Sequence, residues 1–159
     1  MIIALAFISF TIFKGVTNIL NAFFIPFLIF AFLKNNDYKE ILFVYFALIL
    51  STLILYGIQS FFIIGYCMIA FLIHIQKKKK ISDIKAIVLN AFFISFIFWM
   101  GIILTDTLFS TNINQIMLRI SQNNILKYIF ILIVEGLIIS LMLNFSIRKV
   151  LKSGFKFID

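Results

Sequence analysis

The chain has 159 residues, 64% hydrophobic and 13% charged, with a formal net charge of +8. A soluble domain of this size has no way to bury so much apolar surface, so lipid must cover part of it. The length allows one membrane domain of about five or six helices and no separate soluble domain. The positive charge does not point to nucleic acid, because most of it sits at two places. Lys77 to Lys85 holds five lysines and one Asp, and Arg148 to Asp159 holds four basic residues and one Asp. Basic clusters flanking apolar runs are topology signals and contacts for anionic headgroups.

In chain order, Ile2 to Leu33 is interrupted by Lys14, Gly15, Asn18 and Asn21. One continuous helix would bury Lys14 near the bilayer centre, at a cost of at least a few kcal/mol. Two helices, about 2–13 and 19–33, place Lys14 at a bend on the outer side, where it snorkels. The apolar start lacks a basic leader and a small-residue cleavage site, so it reads as a retained first helix. Pro26 predicts a kink in the second helix, tolerated where neighbours satisfy the freed carbonyl. Lys34 to Glu40, KNNDYKE, reads as a polar loop.

Ile41 to Gln76 is 36 residues with no charged side chain, followed at once by Lys77, Lys78, Lys79 and Lys80. A straight helix of that length reaches roughly 54 Å, against a hydrocarbon core of about 30 Å. It reads as a helical hairpin, 41–56 and 60–76, turning at Gly57-Ile58-Gln59-Ser60. A fifth helix spans 84–108 and a sixth 125–147. Between them, Ile113, Ile116, Met117 and Ile120 recur at helical spacing, which suits a short amphipathic helix on the outer surface. The expected architecture is all-α: six transmembrane helices in one bundle over 1–159, both termini cytoplasmic by the positive-inside bias.

Glu135 is the one acidic residue deep inside a predicted span. Two roles are open to it: a functional carboxylate, or a protonated group that fastens helices beside Gly136. Gly136 and Ser140 form a small-xxx-small pair that lets helices approach. Asp106, with Asn112, Asn114 and Gln115, marks the outer rim, where it is either solvated or part of a pocket. His74, near the lysines, reads as an interfacial residue. Trp99, with Phe92, Phe93, Phe96 and Phe98, reads as helix packing. Cys67 is the only cysteine, which excludes an intrachain disulfide and a cysteine-based metal cage. His74 lies two helical turns on, about 10 Å away by rise, beyond reach as its base. No glycine-rich phosphate loop, Ser–His–Asp set or paired acidic motif is present, so the expectation is a non-enzyme without cofactor or metal.

The order of these features resembles the MreD rod-shape-determining membrane proteins over nearly the whole chain. The residues that carry the likeness are FFIPFLIFAF around Pro26, the KNNDYKE loop, the hairpin with its lysines, and VEGLIISLMLNFSIRKVLK. Glu135, Asn144, Arg148 and Lys149 match the family's last helix. Two departures are Phe27 after Pro26, where the family commonly has Asn or Asp, and a hairpin without an acidic residue, Leu55 standing nearby. The resemblance implies a scaffold of cell-wall (peptidoglycan) elongation in the bacterial inner membrane, with an MreC-like membrane protein as partner. The same six-helix plan is shared by the substrate-binding S components of energy-coupling-factor vitamin transporters and by YybS-like membrane proteins. The alternative is therefore a binder of a small, vitamin-like ligand, in a pocket roofed by the segment 109–124.

Overall fold

The computed structural model describes residues 1–12, 18–56 and 60–152. Among these residues the structure is helical, with seven helices and no strand. They are α1 (Ile2–Ile12), α2 (Asn18–Leu33), α3 (Tyr38–Tyr56), α4 (Ser60–Lys78), α5 (Asp83–Phe109), α6 (Ile113–Ile120) and α7 (Ile125–Lys152). The expected bend at Lys14, the hairpin turn at 57–59 and the last residues of the basic tail lie outside the described residues.

Helices dominate because a chain this apolar must satisfy its backbone groups within each segment. Stretches in α3, α5 and α7 are long and apolar enough to cross a membrane: Tyr38–Leu55, Asp83–Phe109 and Ile125–Lys152. Ile19–Leu33 is a shorter apolar stretch. The 11 residues of α1 rise only about 16 Å, roughly half the hydrocarbon thickness.

Two helix ends lie beyond their expected positions. α3 begins at Tyr38, so only 34–37 remain of the polar loop. Asn36 donates to the Glu40 carboxylate at 2.6 Å, and an acid in the first turn suits the helix dipole. α7 continues to Lys152, with Lys149 and Lys152 in its last turn, where positive charge is favoured.

The most extensive helix pair is α5 with α7, and α2 packs against both α4 and α7. α1 lies on α2 and α3, and α3 lies on α4. Ile25, Ile29, Tyr66, Ile69, Ile94 and Leu143 are fully buried where these helices meet. The outward faces are equally apolar: Phe43, Ile54, Leu126 and Phe145 are 72–74% exposed. Exposed apolar surface on this scale suits hydrocarbon rather than water. Trp99, expected in helix packing, is 42% exposed beside an exposed Phe96. Phe92 also faces outward, and only Phe98 of this aromatic group is buried. α5 turns its small residues Ala91, Ser95 and Gly101 inward, which leaves the bulky rings for the outer face.

Candidate functional site

Polar side chains gather at the two ends of the bundle and along the α5–α7 seam. At the α6 end, Asp106 accepts hydrogen bonds from the Thr111 hydroxyl, from the Ile113 amide (2.9 Å) and from the Asn114 amide (2.8 Å). These amides begin α6 and have no intrahelical acceptor. Asp106 is thus a capping carboxylate supplied from the last turns of α5, rather than a lone rim group. It fixes a short helix whose apolar Ile116 and Ile120 stay exposed. Asp106→Ala is expected to release α6 without unfolding the bundle. Hydrogen exchange checks this: faster exchange confined to 111–120 is the expected result, and an unchanged α6 would refute it.

Under α6 lies a cavity of about 240 Å³ lined by Ile19, Phe62, Phe98, Ile113, Met117 and Glu135, among others. Glu135 therefore faces helices α2, α4, α5 and α6 and brings one carboxyl group to an otherwise apolar space. The polar residues Asn112 and Gln115 do not line it. Asn114 lines a separate groove between α5 and α7, together with Trp99 and Tyr128.

Gly136 and Ser140, the other candidates on α7, are buried against α5. A Cβ on Gly136 would stand 2.5 Å from the Ala91 carbonyl oxygen and still closer to the Ser95 hydroxyl. Ser140 donates to the Ile87 carbonyl at 2.8 Å. The Ser95 hydroxyl lies 2.8 Å from the carbonyl oxygens of both Ala91 and Leu132. The small residues are thus spent on contact within the chain. The sequence showed a face that lets helices approach, but periodicity alone does not say which helix fills it.

At the basic end, Lys77 donates to Asp83 at 3.2 Å and to Asn144 at 3.5 Å. Arg148 pairs with the other oxygen of Asp83. Asp83 begins α5, so this cluster ties α4, α5 and α7 together. Lys77, expected as a surface lysine, is half-buried because Asp83 and Asn144 hold it. Lys78, Lys79, Lys80 and Lys149 are exposed. Lys78 lies 4.3 Å from the Tyr38 ring centroid, a cation–π distance.

His74, expected at the interface, is buried. Its Nε2 donates to the Leu33 carbonyl at 3.0 Å. That carbonyl belongs to the last turn of α2; it also accepts from the Asn36 amide at 3.1 Å, so His74 adds a second bond at the end of a helix 41 residues away. Gln76 donates to Asn90 at 2.8 Å between α4 and α5, both side chains buried. Ser9 donates to Asn21 at 3.1 Å between α1 and α2. The sequence reading missed these ties. Their only sequence signal is a lone polar residue near a span end, and that signal names no partner.

Cys67 is buried. Among the described residues no group of three His, Cys, Asp or Glu side chains is placed to hold a metal ion.

Taken with the fold, these ties describe a helical protein with the apolar spans of a membrane protein, its polar groups joining helix to helix. Compared with protein-family models, curated proteins and solved structures, the chain matches none.

Proposed function

We propose that the chain is a non-enzymatic scaffold of the MreD type in a bacterial cytoplasmic membrane. It crosses six times, the short α1 by local thinning of the bilayer, keeps both termini in the cytoplasm and binds a single-pass, MreC-like protein of cell-wall elongation. The observation that carries this reading is where the buried polar groups go. Ser95, Ser140, His74, Gln76 and Asn90 each bond to another helix or to a helix end, and the partly exposed Asp106 does the same for α6. A bundle tied in this way suits a fixed platform for other proteins better than a site that converges on a substrate. The orientation draws support from the basic residues: Lys34, Lys77 and Lys78 share one end with the last turns of α7.

One observation favours a second reading, a small-molecule binder of the S-component type: the cavity under α6 with Glu135 in its wall. One preparation separates the two. Co-expressed with an MreC-type protein, the chain is expected to co-purify with it. Alone in nanodiscs, it is expected to show no change in melting temperature with thiamine, riboflavin, biotin or folate. A ligand at a thousandfold excess over its dissociation constant would stabilise the folded state by about 4 kcal/mol, which such an assay resolves easily. A vitamin-induced shift that Glu135→Gln abolishes, with no partner recovered, would decide for the binder.

A further inference from the structure

A cavity of about 390 Å³ opens at the basic end, between the α2–α3 turn and the last turns of α4 and α7. Lys34, Lys77 and Lys78 bring three ammonium groups to it; Asp37 adds a carboxylate, and Lys77 is paired with Asp83. Asn35 and Asn36 also line it and add amide donors. Two of the lysines are positioned within the fold, Lys77 by Asp83 and Lys78 over the Tyr38 ring. An excess of fixed positive charge at a membrane rim attracts an anion, and a basic pocket between helices there suits a phosphate headgroup.

A second feature lies beside it. An apolar groove of about 470 Å³ runs between α3 and α4, lined by Leu42, Tyr45, Phe46, Met68, Phe71 and others. Leu42, Phe46 and Met68 are exposed to the surroundings of the bundle. Groove and cavity meet at one aromatic contact: Tyr38 lines the cavity, and its ring centroid is 6.0 Å from that of Phe71, which lines the groove. Phe71 also contacts Tyr45, at 6.3 Å. The Tyr45 hydroxyl is buried and has no hydrogen-bond partner. Seven residues along α3 from Tyr38, Tyr45 lies about 10 Å deeper, past the headgroup layer and at the start of the acyl chains.

We propose that this end of the bundle binds one anionic glycerophospholipid, with its phosphate in the lysine cavity and an acyl chain in the α3–α4 groove. The phosphate answers the positive charge of the cavity, and the chain covers the groove. A zwitterionic lipid fits less well, because its own ammonium group would enter a cavity that is already positive.

The test is lipid retention by the detergent-purified chain, read by native mass spectrometry with chain-matched phosphatidylglycerol and phosphatidylcholine. The glycerol lipid is expected to be retained in preference. Lys34→Gln with Lys78→Gln should weaken it about tenfold or more. Lys79→Gln with Lys80→Gln removes the same charge from lysines that do not line the cavity, and should weaken it less than twofold. Both double variants should keep the parent melting temperature in phosphatidylcholine nanodiscs, which separates binding from folding. Equal losses in the two double variants would reduce the effect to diffuse surface attraction and overturn the proposal. So would equal retention of the two lipids. Displacement of the lipid by millimolar inorganic phosphate would also overturn it, in favour of a site for free phosphate.

Discussion

Gly136→Ala lowers the stability of the bundle by about 1–3 kcal/mol, the range for overpacking a filled interface. Alanine's better helix propensity works the other way by about 1 kcal/mol. Packing wins because the added methyl meets backbone: the Ala91 carbonyl oxygen stands 2.5 Å from the new Cβ. A carbonyl inside α5 moves only if the whole helix moves. Ser95→Ala, which clears the neighbouring hydroxyl, is therefore expected not to rescue the variant. Gly101 is the internal comparison. There a Cβ would meet the Phe62 ring at 2.6 Å, a side chain that can turn aside, so Gly101→Ala should cost less. Melting temperatures of both variants in one detergent check the order. Equal losses would mean that the α5–α7 approach is looser than described.

Breaking the Gln76–Asn90 pair from one side costs more per residue than removing both partners. The two amides are buried and bond only to each other in this contact, at 2.8 Å. Asn90→Leu leaves the Gln76 amide without an acceptor, and Gln76→Met leaves the Asn90 carbonyl without a donor. Each single change is expected to cost about 1–3 kcal/mol, the desolvation penalty of an orphaned polar group. The double variant should cost clearly less than the sum, because an apolar pair orphans nothing. A denaturation cycle on the four proteins measures the coupling. Strict additivity would mean that water already reaches the pair.

Much of the helical layout was open to the eye in the sequence. An apolar run of 36 residues cannot be one crossing, and the spacing of Ile113, Ile116, Met117 and Ile120 marks α6 because that segment has one apolar face and one polar face. The long helices differ. Their outward and inward faces are both apolar, so periodicity distinguishes them poorly. That is why Trp99 was expected inside and lies outside. The candidate residues were legible as types but not as contacts. Asp106 was visible as a carboxylate at a helix end, yet its role depends on amides that fold back over it. Lys77 belonged to a run of four lysines, and only Asp83 and Asn144, 6 and 67 residues away, set it apart from Lys79 and Lys80.

By itself the sequence determined that this chain is helical, that its surface suits lipid and that its basic charge lies beside the apolar segments. Those properties follow from composition and from local hydrogen bonding, which need no knowledge of distant residues. The tertiary structure alone decided that Gly136 and Ser140 serve α5, that His74 bonds to the end of α2, and that Lys34, Lys77 and Lys78 share one cavity. Each of these joins residues far apart in the chain, and in a bundle apolar on every side the pairing of faces is set by shape and by a few polar ties.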